Sequence, residues 1–308
     1  MSGEKSSLQK KLESGVFTVT AEIGPPMSAD ADIVAEKARE LKGIVDAANV
    51  TDNQTAVVRM SSIAASYLSL LNGVEPVVQM TCRDRNRIAI QSDLLGAYAL
   101  GLKNLLVLSG DHQIFGNHPQ SKNVYDVDSI QLLASLKRLK DEGVFMGGNK
   151  CKSPPEFFLG ATVNPFADPE ELQMIRLRKK IKAGAEFIQT QAIYDVGRFK
   201  EWMEKARNLE LHKKTYILAG IVVNKSLKSL EMTKLVPGMS VPDTLINRMR
   251  EAGPENYEKE GFNIALELIG ELRGIEGISG IHIMAIGWES IVPSLVEKAG
   301  FLPRGGII

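Results

Sequence analysis

Cysteine is nearly missing from this chain, with only Cys82 and Cys151 among 308 residues. Two thiols so far apart form neither a metal-ligand spacing nor a disulfide framework. Iron–sulfur and disulfide-stapled architectures are therefore excluded, and a reducing, cytoplasmic setting is expected. Histidine is scarce as well: His112, His118, His212 and His282 show no metal-binding spacing, which argues against a metal hydrolase. Charge of one sign is also lacking, because 37 Lys and Arg balance 37 Asp and Glu. No net field then favours nucleic acid or an anionic membrane. No uncharged apolar run approaches the ~20 residues that span a bilayer. Residues 1–15, rich in Lys, Ser and Glu, lack the apolar stretch of a signal peptide, so they are expected to form a helical extension rather than an export signal. Without a Pro-, Gly- or Ser-rich linker or a low-complexity segment, residues 1–308 are expected to form one domain.

What is present is a regular alternation. Segments 17–23, 47–51, 76–82, 104–110, 157–163, 187–193, 215–223 and 280–286 are short and mostly continuous in apolar character, as parallel strands covered on both faces are. Between them, 29–41, 88–100, 127–142, 169–183, 196–209 and 257–273 place apolar residues at the helical period. Acids or proline open several of these helices, as in Asp168-Pro169-Glu170-Glu171, and glycine closes others, at Gly101 and Gly184. Eight strands alternating with helices predict a single (β/α)8 TIM barrel, with a doubly wound sheet as the alternative. Of two irregular stretches, 112–123 would lie on the catalytic face as a lid and 145–155 on the opposite one.

Barrel chemistry gathers where strands end. The strand-closing residues are Glu22, Thr51-Asp52, Gln79 with Thr81, Ser109 to Asp111, Asn164, Gln191 and Asn224, with His282 inside the last strand. A Schiff-base aldolase needs a desolvated Lys at such a position; the sixth strand has none, and Lys225 after the seventh is the only nearby candidate. What remains is one acid at the first strand, one at the fourth, and amides and hydroxyls between. That inventory suits a heteroaromatic cofactor or substrate held by hydrogen bonds, with a carboxyl group managing a proton.

At these residues the sequence resembles the methylenetetrahydrofolate reductase family. The carriers are Ala21-Glu22-Ile23-Gly24-Pro25-Pro26, Gln79-Met80-Thr81-Cys82, Leu108-Ser109-Gly110-Asp111, the run from Ala183 to Gln191, and Val236-Pro237-Gly238-Met239-Ser240-Val241-Pro242-Asp243. The resemblance runs from about Phe17 to Leu302. It implies a flavin-dependent barrel, in its catalytic-barrel-only form, that reduces the methylene group of a folate to methyl. Glu22 would be the general acid, a role that a carboxyl fills when burial disfavours its charged form. Asp111 would lie near the flavin and reach the pterin, and Gln191 would hydrogen-bond the pterin. Thr51, Asp52, Gln79, Ser109, Gly110, Tyr125, Asp126 and Asn164 would line the flavin. Arg176 and Lys180, at i and i+4, would face its phosphates, with Lys179 able to stand in for either.

The chain departs from the family's usual pattern at Gln79 (often His), Ser109 (often Arg), Ile23-Gly24 (often Phe-Phe) and Trp288, where the family carries a folate-binding Arg. These changes leave FAD and FMN both open, as well as the donor, NADH or NADPH. Two further readings are a flavin-free reductase that takes hydride directly from a nicotinamide, and a folate- or flavin-binding subunit fed by an accessory electron-transfer or zinc-containing partner. A homo-oligomer is compatible with each.

Overall fold

All eight apolar segments form strands. In the computed structural model, which describes residues 3–236 and 238–304, they close into one parallel barrel in chain order. Pro237, within the Val-Pro-Gly motif quoted above, lies outside the described residues, as do residues 1–2 and 305–308. The strands are β1 Thr18–Ile23, β2 Ala47–Val50, β3 Pro76–Thr81, β4 Asn104–Leu108, β5 Phe158–Val163, β6 Phe187–Ala192, β7 Tyr216–Val222 and β8 Ile278–Met284. Closure comes from β8 returning to β1, with Thr18 opposite Gly280 and Thr20 opposite His282. The helices are α1 Ser7–Glu13, α2 Ala31–Leu41, α3 Ser62–Leu71, α4 Arg87–Ala99, α5 Ser129–Glu142, α6 Glu170–Lys182, α7 Val196–Asn208, α8 Leu227–Lys234, α9 Asp243–Ala252, α10 Tyr257–Arg273 and α11 Val292–Lys298. This is the expected (β/α)8 TIM barrel, and no described helix is long and apolar enough to cross a membrane.

Four helices escape the periodicity argument: α3, α8, α9 and α11. The case of α3 shows why. Its buried face is Ser62, Ala65, Ser66 and Ser69 while Leu71 is exposed, so its apolar residues mark the wrong side. The last strand begins at Ile278, two residues before the expected start, and Ile286 is left exposed beyond its end.

The strand period of two divides the wall into an outer and an inner surface. Outward residues such as Val19, Ala21, Ile23, Val78, Met80, Ile188 and Ile281 pack beneath the helices in one large cluster. Inward residues at the amino-terminal ends, Ala47, Val77, Leu106, Phe158, Phe187 and Leu218, form a separate cluster that α1 closes from below with Leu8 and Leu12. Both leucines are almost fully buried, which stabilises by about 1.5–3 kcal/mol each. Phe158 and Phe187 stack at 4.9 Å, and the Phe187 ring explains Gly160, where an added Cβ would fall 2.1 Å from it. The floor is tied down by Asp46, which accepts from Lys11 of α1 (2.7 Å), from the Val19 backbone (2.7 Å) and from Arg304 near the carboxyl terminus.

Above the apolar floor lies a buried polar layer. Asn49 donates to Gln189 at 2.6 Å and accepts from it at 3.1 Å, and Thr20 Oγ1 meets His282 Nδ1 at 2.9 Å. Mutual pairing satisfies these polar groups inside the barrel.

Candidate active site

The polar layer is the base of a cavity of about 350 Å3 at the carboxyl ends of the strands. β1 brings Glu22 to its edge, where Oε1 lies 3.5 Å from His282 Nε2. Because the other ring nitrogen of His282 is held by Thr20, the imidazole is fixed between the polar layer and the carboxyl group. The backbone after Glu22 is pinned as well: Lys37 donates to the Gly24 carbonyl at 3.1 Å and pairs with Glu289 at 2.7 Å, and Arg59 donates to the Pro25 carbonyl at 3.0 Å.

Two amides also face the cavity. Gln79 from β3 and Gln191 from β6 both line it, and neither side chain hydrogen-bonds another described residue. Each offers a donor and an acceptor to whatever occupies the space. Asp52 lines the cavity too, but its oxygens are committed to the protein. They accept from the Thr81 N–H and hydroxyl, both at 2.9 Å, and from Arg85 at 2.8 Å.

The turn after β4 contributes Ser109, Gly110 and Asp111. Gly110 is required here: its φ is +86°, and a Cβ would fall 3.0 Å from Thr81 Cβ and 3.1 Å from Arg83 Cβ. Asp111 is solvent-facing, and its Oδ2 accepts from the Thr55 N–H at 3.2 Å. Ser109 Oγ donates to Ser129 Oγ at 3.3 Å, linking this turn to the start of α5.

Lys180 enters from α6 and donates to the Thr162 carbonyl of β5 at 2.6 Å. Burial, with the nearby Arg176 charge adding to it, pushes its amine down to about 8, while Asp128 offsets part of the effect. Among the described residues no carboxylate pairs with it, so the cavity wall holds a cation suited to an anionic group such as a phosphate.

The structure therefore gathers Glu22, Asp52, Gln79, Ser109, Gly110, Asp111, Lys180 and Gln191 on one cavity. It places the other candidates elsewhere. Thr51 is buried with its hydroxyl unpartnered, and Tyr125 is exposed, donating to the Gly110 carbonyl at 3.2 Å. Asp126 pairs with Arg87 at 2.8 Å, an ion pair that holds its carboxyl down at about 2. Asn164 accepts from the Phe166 N–H at 3.2 Å, beside Gly238. Arg176 is exposed on α6, and Lys179 lines a groove on the outer surface of that helix with Arg178 and Lys182. Residues 112–123 do lie beside the cavity. A short 3-10 turn within them, Gln113–Phe115, packs on a second such turn after β2, Gln54–Ala56, and leaves Phe115 exposed.

Sequence reasoning missed the structural weight of His282 and Arg83. The signal for Arg83 was the alternating Arg83-Asp84-Arg85 directly after β3, a dense run of charge at a strand end.

The methylenetetrahydrofolate reductase family profile matches residues 7–300. The chain belongs to the methylenetetrahydrofolate reductase family. Methylenetetrahydrofolate reductase 2 of Schizosaccharomyces pombe is 22% identical over 255 residues, 81% of this chain and 39% of that protein. A probable methylenetetrahydrofolate reductase (NADPH) of Caenorhabditis elegans is 23% identical over 254 residues, covering 80% of this chain and 35% of its own length. The chain thus spans well under half of these two relatives. The 5,10-methylenetetrahydrofolate reductase of Pectobacterium carotovorum subsp. carotovorum is 22% identical over 235 residues, 75% of this chain and 72% of that one. In fold, the chain is similar to an uncharacterized protein from Clostridium thermocellum that binds two copies of 5-methyl-5,6,7,8-tetrahydrofolic acid. That likeness has a TM-score of 0.66 at 14% identity and covers 97% of this chain and 99% of that one.

Proposed function

We propose that this chain reduces 5,10-methylenetetrahydrofolate to 5-methyltetrahydrofolate, with Glu22 as general acid and a flavin as the hydride source. The observation that carries the reading is the convergence of Glu22, Asp111 and Gln191 on one cavity at the carboxyl ends of the strands, in a chain of this family. The methyltetrahydrofolate bound by the Clostridium thermocellum protein is consistent with a folate in such a barrel.

The residues present fit a flavin nucleotide. The unpaired Lys180 cation and the Ser109–Ser129 hydroxyls would hold its phosphate, and the Gln79 amide would meet the edge of its ring. When bound and reduced, a flavin supplies the hydride. FAD and FMN both satisfy this donor set.

The chain's own residues do the rest. Gln191 orients the pterin through its free amide, and Asp111 reaches it from the β4 turn. Glu22 delivers a proton to the folate nitrogen that leaves the methylene carbon, so that the C–N bond opens to an iminium ion. Hydride addition to that carbon then completes the methyl group. His282, fixed by Thr20, restrains the Glu22 carboxyl between turnovers. Proximity of the two ring systems in a single cavity would supply much of the rate.

Purification and spectroscopy test this directly. A yellow protein whose flavin absorption bleaches with NADH or NADPH and recovers on adding methylenetetrahydrofolate supports the reading and identifies the donor. A yellow protein bleached by neither points to an electron-transfer partner, and a colourless one that oxidises NADH with folate points to direct transfer. Glu22→Gln is expected to lower folate reduction by 10²-fold or more, on the order of a lost general acid, while flavin bleaching survives. Folate turnover at the wild-type rate in that variant removes Glu22 from the mechanism.

A further inference from the structure

Arg83 is almost completely buried, at 2% exposed, yet it follows a strand end and lines the cavity. Its guanidinium is used on three sides. Nε and Nη2 form a fork on the two oxygens of Asp84, each at 2.7 Å. Nη1 donates to the Asp111 carbonyl at 3.0 Å, and Nη2 also reaches the Asn53 carbonyl at 3.2 Å. One side chain from the β3 loop thus holds the backbone of both the β2 loop and the β4 loop.

Those loops are strained where Arg83 holds them. Asn53, Thr55, Ala56 and Tyr125 all have φ between +40° and +56°, and they are four of the five described non-glycine residues with positive φ. Left-handed backbone costs of order 1 kcal/mol or more at Thr55, Ala56 and Tyr125, and less at Asn53 because asparagine visits that region readily, and it persists only where the surroundings over-determine it. The Arg83 side chain supplies this at the Asn53 and Asp111 carbonyls, while main-chain bonds independent of that side chain seat Tyr125: the Val124 N–H donates to the Arg83 carbonyl at 2.8 Å and the Tyr125 N–H to the Cys82 carbonyl at 3.2 Å. Asp111 sits at the junction, its carbonyl on Arg83 and its carboxylate on the Thr55 N–H.

We infer that Arg83 is a positioning residue that clamps the β2 and β4 loops in their strained conformation and thereby fixes Asp111 at the cavity. Its chemistry is specific. A planar fork can hold Asp84 and two divergent carbonyls at once, which an ammonium on a flexible stem cannot. The role of Asp111 in folate reduction rests on the function proposed above; the clamp itself does not.

Two measurements separate these. Hydrogen exchange on the purified protein, without folate, reads the clamp: R83M and R83K are expected to speed exchange in 53–58 and 109–125 together while α10 stays protected. Unchanged exchange in either loop overturns the inference, and a general loss of protection is told apart by α10. A double-mutant cycle on folate reduction reads the positioning. R83M is expected to lower kcat by about tenfold in the wild-type background and by less than about twofold in a D111N background, because coupled residues are not additive. Additive losses overturn the link to Asp111. A wild-type protein that binds flavin but never turns over folate removes the proposed function, and the exchange result still decides the clamp.

Discussion

Lys180→Met is expected to stabilise the ligand-free protein and weaken its grip on an anionic ligand. The stability gain follows from the amine being pushed from its ordinary 10.5 to about 8 by burial and by Arg176. That difference corresponds to about 3 kcal/mol of unfavourable charging in the folded state. Methionine fills similar space with no charge to desolvate, but it gives up the 2.6 Å bond to the Thr162 carbonyl, worth about 1 kcal/mol. A net gain of about 2 kcal/mol at pH 7 is the result.

The pH dependence has a definite sign. Between about 8 and 10.5 the unfolded chain binds a proton at this lysine that the folded chain does not, so wild-type stability gains from this group as pH rises through that window. Below about 8 both states are protonated and the penalty is constant. The advantage of K180M is therefore full at pH 7 and shrinks toward zero by pH 10. Urea unfolding followed by circular dichroism at pH 7, 8, 9 and 10 measures it, provided the slope m is shared by the two proteins. A variant no more stable than wild type at pH 7, or one whose advantage does not shrink with pH, refutes the reasoning. The same linkage predicts that wild-type affinity for a phosphate-bearing ligand declines above about pH 8, as the cation is lost.

Two further predictions concern groups beneath the cavity. Asp46→Asn leaves Lys11 and Arg304, both nearly buried, without a counter-charge, and should cost about 3–5 kcal/mol by urea unfolding; a loss under about 1 kcal/mol would mean that water already screens the site. Thr20→Val keeps the shape of the side chain but strips His282 Nδ1 of its partner, and should cost about 1–3 kcal/mol. Its kcat in the proposed folate reduction should fall as the imidazole beside Glu22 loosens, and unchanged stability and kcat together would show that the polar layer does not hold His282.

The barrel was readable because its wall depends on a short-range property. Most outward strand positions are apolar because they sit under helices, so residues such as Val19, Ala21 and Ile23 mark each strand wherever it lies in the chain. α3 was not readable, since its inner face is built from serines that bury little apolar area. The rim was half readable. Strand periodicity fixes which side chains face inward, so Glu22, Gln79 and Gln191 follow once the strands are known. Loop residues follow no such period: Tyr125 reaches back to the Gly110 carbonyl, Asp126 pairs with Arg87, and Arg83 turns inward after β3 through bonds to Asn53 and Asp111, residues 30 and 28 positions away. Arg176 and Lys180 show the limit on a helix. Four residues apart on α6, one is exposed and the other is drawn beneath the rim by the Thr162 carbonyl.

Stability and chemistry are separated along the barrel axis. The amino-terminal end carries the features that lower the free energy of the fold: the Leu8 and Leu12 plug, the Phe158–Phe187 stack and the charges that meet at Asp46. The carboxyl-terminal end carries features that raise it, namely a largely buried Lys180 with no carboxylate paired to it among the described residues and left-handed backbone at Thr55, Ala56 and Tyr125. A ligand that supplied an anion to Lys180 would relieve the cost of charging that amine, and its binding would stabilise the fold by mass action. The same asymmetry says where tolerance lies. Substitutions that ease the upper rim should raise stability at the expense of turnover, whereas those that disturb the floor should lower stability without touching the geometry of Glu22.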